Sequence, residues 1–426
     1  MAQDSRGRVG GRVFWKTASA GAAFQAGSTA VDSATIVASL VNHLTGSVYA
    51  VGAASAVLRL GWLLPQLIVG FLAQRSERSM PFYMVGAFGR AGCLALIAVL
   101  LMFAGGLSGV VTAAGFLGVW TLYAFVSGIV AVPYNDIVGR SIASDARSRM
   151  LAWRFFGGGV LALGVAAMVH WFLEILPLLT AYAAAFAVAS GLMFVSAMVF
   201  VSAGEPLSIR DRTASTTDRR AGFLGFLKAG TAVLVTDARF RLFLLTQWLS
   251  GATQMTLPFY VVAAMSAGIG AEDVAILLGA QTAGALASNA VWGRIGDRHG
   301  KLRLLQAVSV LRLAVPLAAI ALYVFIDVGG VVGFGALVLL FVLIGALVNG
   351  MTIGYLGYLM EVSPDDRRPA YSGYFNAFAS PAALLPLLGA LIADLGSFET
   401  VFAVAAVAAV VQLVLLRRLA RHEREM

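Results

Sequence analysis

The chain has 426 residues, of which 60% are hydrophobic and only 12% charged, with a formal net charge of +9. Soluble domains carry about a quarter of their residues as charges, so an ordinary soluble protein is excluded. The basic residues are dispersed rather than gathered on one face, which argues against a nucleic-acid binder. A single cysteine, Cys93, rules out a disulfide framework. The four histidines, His43, His170, His299 and His422, show no metal-ligand spacing.

Residues 1–16 are basic, and the apolar stretch that follows runs past Val41 and contains Gln25 and Asp32. It is longer than a secretory signal core of about 7–15 residues, so it reads as a retained first membrane span. Further apolar runs follow at 48–73, 82–104, 110–133, 151–173 and 177–203. A polar stretch rich in Ser, Thr, Asp and Arg then separates these six from 241–265, 273–293, 302–326, 331–356, 371–393 and 398–417. Each run approaches the roughly 20 residues that a helix needs to cross a bilayer. A membrane barrel would instead show alternating segments of about ten residues. The fold class expected is an all-α membrane protein with twelve transmembrane helices in two six-helix bundles. The expected units are 1–203, a linker over 204–240, and 241–426. Within the linker, Phe223 to Val235 has the spacing of a short surface helix.

Charge fixes the orientation. Lys and Arg fall in alternate breaks: the N-terminus, then Arg75 and Arg78, then Arg140, Arg147 and Arg149, then the central segment. The series continues with Arg294, Arg298, Lys301 and Arg303, then Arg367 and Arg368, then Arg417 to Arg424. The other breaks hold acids, including Glu174, Glu272, Asp273, Asp327, Asp394 and Glu399. Basic loops stay in the cytoplasm, so both termini are expected there, in a cytoplasmic (inner) membrane.

Arg59, Arg90, Arg154 and Arg312 stand outside that basic set, inside spans. Arg154 is near enough to the interface to snorkel, and Arg90 and Arg312 occupy matching places in the third span of each six. Arg59 lies mid-span, and Asp32 lies deep in the first span at the same distance from the hairpin turn near 43–48. A mid-bilayer charge costs about 2.5–3.5 kcal/mol on the insertion scale, so two at matched depth are expected to pair. Two readings stand: a coupling pair whose aspartate takes up a proton or binds substrate during transport, or a structural ion pair locking spans one and two.

The halves echo one another. GFLAQRSER at 70–78 and GRIGDRHGK at 293–301 both end the second span of their half. Asp145, Arg147 and Phe155 recur as Asp365, Arg367 and Phe375, each 220 positions on. Parallel half-repeats are a transporter signature. GRIGDRHGK resembles the signature loop of the major facilitator superfamily, with Gly293, Asp297, Arg298, Gly300 and Lys301 in its positions. The first copy keeps Gly70 and Arg75, but Gln74 stands where the family has Asp.

The resemblance implies a secondary transporter of a small organic solute, working by alternating access. The charges themselves suggest a cytoplasmic gate in which Asp297 pairs with Arg298, Lys301 or a neighbouring helix, Glu361 with Arg298, and Asp136 with Arg75 or Arg140, the alternative being ordinary solvated interfacial charge. The resemblance also implies that the first and fourth spans of each half line a central cavity. The candidates are Gln25, Thr29 and Asp32 on span one, and Tyr123, Ser127, Tyr134 and Asn135 on span four. The second half offers Gln247, Ser250 and Gln254 on span seven, and Asn349, Tyr355 and Tyr358 on span ten. Pro258 is expected to break span seven as a hinge. Small-residue ridges, Gly158–Ala162–Ala166 and Gly279–Ala283–Ala287, are expected to serve close packing.

No phosphate-binding loop, nucleophile triad or zinc-protease helix occurs in the sequence, so neither a primary pump nor an enzyme is expected, and no cofactor or metal. The expected partners are a small-molecule substrate, protons and the lipid bilayer, with a monomeric chain and no nucleic acid. A drug or siderophore exporter, a lipid flippase, or a non-transporting receptor or assembly factor on the same fold remain alternatives.

Overall fold

A chain in hydrocarbon has no water to satisfy its backbone, so each span must close its own hydrogen bonds as a helix. In the computed structural model, which describes residues 2–73, 76, 78–142, 144–206, 231–362, 374–376 and 378–425, this is what the apolar runs do. The first half contains α1 (Ala2–Ala30), α2 (Ile36–Thr45), α3 (Val48–Ala73), α4 (Met80–Met102), α5 (Gly109–Ser141), α6 (Ser144–Ile175) and α7 (Leu178–Val201). The second contains α8 (Ala238–Ser266), α9 (Ala271–His299), α10 (Lys301–Phe325), α11 (Val331–Val362), α12 (Leu385–Leu395) and α13 (Phe398–Glu425). A 3-10 turn at Ser380–Leu384 leads into α12. Among the described residues, α1 and α2 together make span one, and the segment from Tyr374 to α12 makes span eleven.

Ten of these stretches are long and apolar enough to cross a membrane on composition alone. The stretches that fall short are span one and α8. Span one is interrupted, and α8 is diluted by Gln247, Ser250, Thr253, Gln254 and Thr256. These are the equivalent first spans of the two halves. Around the outside, Val85, Phe103 and Val331 are largely exposed, the apolar surface that lipid requires.

The two halves share one internal plan. In the first, α1 packs on α6 and α7, α3 on α5, and α4 on α5 and α7; in the second, α8 packs on α12 and α13, α9 on α11, and α10 on α11 and α13. The tightest crossings also correspond. A Cβ at Gly128 would overlap the Gly61 carbonyl oxygen, and one at Gly345 would overlap that of Gln281. Only glycine allows these backbones to approach so closely.

Two expectations about helix continuity change. Span one, expected to run unbroken over 17–42, is interrupted between Ala30 and Ile36. The Asp32 carboxylate is the cause: its Oδ1 accepts from Ala34 N at 3.1 Å and from Thr35 N at 3.0 Å. This Asx turn offers the backbone an alternative to the helix. Span seven shows the reverse: α8 runs unbroken through Pro258. Proline removes one hydrogen bond, which neighbouring helices in a packed bundle tolerate. Several helices also extend past the apolar runs on the side of the termini, where α5 carries Arg140 and α6 carries Arg149. The surface helix expected over Phe223–Val235 lies largely outside the described residues.

Candidate functional site

The halves meet along two helix pairs, α6 against α9 and α3 against α12, while α2 touches α8 and α9. The small-residue ridges meet here, Gly279 facing Ala166. Side-chain hydrogen bonds between described residues of the two halves all lie at the end remote from the termini. Tyr49 Oη donates to Asp394 Oδ2 at 2.8 Å, and the His170 ring nitrogen Nδ1 donates to the Glu272 carbonyl at 2.9 Å. Asn42 Nδ2 reaches Met265 Sδ at 3.9 Å. That end is closed.

Below this closure a cavity of about 380 Å³ separates the halves. Its first wall carries Ser33, from the break in span one, and Arg59 and Trp62 from α3. Its second wall carries Gln247 and Gln254 from α8, and Phe375 and Asn376 from span eleven. The amide oxygens of Gln247 and Gln254 are buried without a hydrogen-bond partner. Phe375 stacks on Phe243, which stacks in turn on Tyr355, a rigid aromatic floor beneath that wall. The volume falls at the small end of the range for small-molecule sites, about 300–1,000 Å³.

Asp32 and Arg59 do come within reach of each other's charge, as their matched depth predicts, but they form no direct ion pair among the described residues. The Asp32 carboxylate is committed to the helix break, where Thr35 Oγ1 also donates to Oδ1 at 2.9 Å. Arg59 instead faces the cavity.

The other candidates divide. Gln25 sits against Gly158, its amide oxygen buried and unpartnered, and Thr29 donates back to the Gln25 carbonyl. Tyr123 is buried and stacks on Trp120 at 4.9 Å, with Ser127 beside it. Asn135 is exposed. In the second half the side chains of span ten knit their own bundle. Asn349 Nδ2 donates to Asn289 Oδ1 at 2.9 Å, and Tyr355 Oη donates to the Thr246 carbonyl at 3.0 Å. The Tyr358 hydroxyl accepts from Arg239 Nε at 3.3 Å.

The remaining buried arginines take neutral partners. Arg312 donates to Gln412 Oε1, and Gln412 Nε2 donates in turn to Thr246 O and Tyr355 Oη. Arg90 stands 4.2 Å over the Phe24 ring. Arg154, expected to snorkel, instead lies across Gly21 and donates to Tyr134 Oη at 2.9 Å. Its charge faces tyrosine within the first half rather than the lipid headgroups.

At the terminus side, Asp136 meets Arg140, one of its two expected partners, and also accepts from Ser79 Oγ. Sequence reading missed the centre of this cluster, Glu205. Its carboxylate accepts from Ser79 N at 2.8 Å, Met80 N at 3.0 Å and Arg140 Nη2 at 2.6 Å. Glu205 thus closes the first turn of α4, where unpaired backbone N–H groups favour an anion. Burial pushes the Glu205 carboxyl up, but these donors outweigh it and hold it below the usual carboxylate range. The stabilisation is therefore complete above the unfolded carboxylate pKa of about 4.3, and is lost as pH falls through the lower folded value. Glu205→Gln is expected to lower the melting temperature at neutral pH by several degrees, and to narrow that difference in acid. Thermal unfolding of purified protein at pH 7 and pH 4 measures both.

In the second half, among the described residues, Asp297 reaches only Lys301, one turn away on the following helix, at 3.6 Å, and is 81% exposed. Gly293 is half-buried, while Arg298 and Glu361 are exposed. Arg75 lies outside the described residues. An exposed pair of this kind contributes little by itself.

Residues 242–425 match the family model of the Major Facilitator Superfamily. No curated protein sequence matches the chain. Among solved structures, a variant of the nucleoside transporter NupG is similar at 14% identity and a TM-score of 0.68, covering 96% of this chain and 99% of that one. The Escherichia coli fucose:proton symporter FucP is similar at 15% identity and 0.59, covering 95% and 98%. A bacterial homologue of the iron transporter ferroportin is similar at 13% identity, covering 97% and 98% in its inward-facing state with a TM-score of 0.65.

Proposed function

From a chain whose second half matches the Major Facilitator Superfamily, and whose whole length takes that superfamily's fold, we propose a proton-coupled secondary transporter of a small solute. The observation that carries this reading is the cavity between two similar six-span halves, with its hydrogen-bonded closure confined to one end. Two bundles that touch along packed helices can rock about a central site and expose it to each side in turn. The positive residues on the terminus side favour an orientation with both termini in the cytoplasm, in an inner membrane. With hydrogen bonds between the halves at the remote end, the structure in this reading corresponds to the inward-open state.

In this scheme Asp32 is the coupling carboxylate and Arg59 the charged group of the site. Asp297 and Arg298 stay solvated in this state and, with Lys301, engage the opposite half when the cytoplasmic end closes. A monomer suffices, since both walls of the cavity come from one chain.

The test needs no substrate. Spin labels at Arg78→Cys and His299→Cys, with Cys93→Ser, report the separation of the halves at the terminus side. Two interconverting distance populations in lipid are expected from electron–electron resonance. One fixed distance under all conditions of pH would favour a receptor or assembly factor on this fold.

A further inference from the structure

We propose that the solute is a small organic carboxylate, held through its charge by Arg59; this rests on the transporter reading above. Three observations support it independently. The first is Arg59 itself. It lies on the cavity wall, and among the described residues its guanidinium has neither a hydrogen bond nor an ion pair. The one carboxylate nearby, Asp32, spends Oδ1 on Ala34, Thr35 N and Thr35 Oγ1. Among the described residues, no acid lines the cavity.

The second is the charge balance of the spans. Their interior holds Arg59, Arg90, Arg154 and Arg312 against Asp32 alone. Three of these arginines have neutral partners already: the Phe24 face, Tyr134 Oη, and Gln412 Oε1. Among the described residues Arg59 has no such neutral partner, only the nearby charge of Asp32, although a planar guanidinium is suited to a carboxylate through two parallel hydrogen bonds. Once Asp32 takes up a proton, as in the scheme above, the guanidinium is left without a counter-charge in a low-dielectric site, which then attracts an anion and repels a cation.

The third is the opposite wall. Gln247 and Gln254 line that wall, and their amide oxygens are buried without a hydrogen-bond partner, so a rotation of either amide would offer it to a polar substituent. Trp62 and Phe375 supply apolar faces. Charge at one end, amides across from it and aromatic sides describe an organic acid with an apolar body, not an inorganic ion.

The assignment is tested by thermal shift on the full-length purified protein with matched probes. Hexanoate, benzoate and succinate are each set beside the corresponding amide, with hexylamine and benzylamine as cations. At least one carboxylate is expected to raise the melting temperature where its amide and the amines do not. Arg59→Gln is expected to weaken that response about tenfold or more, and Arg59→Lys to restore part of it. Equal stabilisation by amides or amines, or silence from every carboxylate in wild-type protein, overturns the anion assignment. The spin-label distances separate the two levels of the proposal. Two populations without carboxylate binding leave the transporter reading standing, whereas carboxylate binding with one fixed distance supports the site and removes transport.

Discussion

Asp32→Asn is expected to abolish the pH dependence of the conformational equilibrium while leaving the protein folded and inserted. The reason lies in what each atom of the side chain does. Oδ1 holds the break in span one by accepting from Ala34 N, Thr35 N and Thr35 Oγ1. An asparagine oxygen accepts the same bonds, because asparagine and aspartate both form this turn. What asparagine cannot do is carry a charge or exchange a proton. The substitution therefore separates the two readings of the residue. If Asp32 only shapes the helix, Asp32→Asn behaves as wild type in the spin-label distances from pH 5 to pH 8, and coupling through this residue is refuted. If it couples, the wild-type populations shift with pH and those of the variant do not. Asp32→Ala makes the complementary point: it strips the acceptor from buried N–H groups, a loss of about 1–3 kcal/mol. Its melting temperature is expected to fall while that of Asp32→Asn holds.

The fold was legible because membrane helices announce themselves through length and apolarity, and lipid removes most alternatives. The span beginning at Val48 coincides with α3, and the six-and-six division follows from the polar stretch after residue 203. The site was only partly legible. Gln247, Gln254 and Arg59 stand out in the sequence as polar residues in apolar spans, the arginine as a coupling candidate, and all three line the cavity. Trp62 and Phe375 were missed because an aromatic facing a cavity has the same local sequence signal as one facing a neighbouring helix. Span ten shows the converse ambiguity. Asn349 and Tyr355 were polar for the sake of helix-to-helix hydrogen bonds, and nothing in periodicity separates that use from solute binding. Glu205 escaped for a different reason: its partners Ser79 and Arg140 are remote in sequence. The Asp32 break was hidden too, since a lone aspartate in an apolar run signals a charge more plainly than a turn.

Gly52→Leu is expected to force the remote end open and shift the population toward the outward-facing state. At this point α3 presses on α12 across the boundary between the halves. A Cβ at position 52 would stand 2.7 Å from the Pro386 carbonyl oxygen and 3.0 Å from Ala390 Cβ. Neither is the flexible tip of a long side chain, so the contact is relieved chiefly by moving the helices apart. Overpacking a well-fitted contact costs about 1–3 kcal/mol, and here that cost falls only on the state in which the remote end is closed. Applied to a two-state equilibrium it shifts populations by about 5–150-fold, large enough to invert a modest preference. The same step should bring the Arg78 and His299 labels closer together, because closing the terminus side accompanies opening the other. Gly92→Leu supplies the control, since a Cβ there meets nothing within 4 Å. It is expected to leave the distances unchanged. If Gly52→Leu also leaves them unchanged in a folded protein, the α3–α12 contact is not part of a moving gate. Rocking of rigid halves would then have to give way to a motion within one bundle, with the break at Asp32 as its natural hinge.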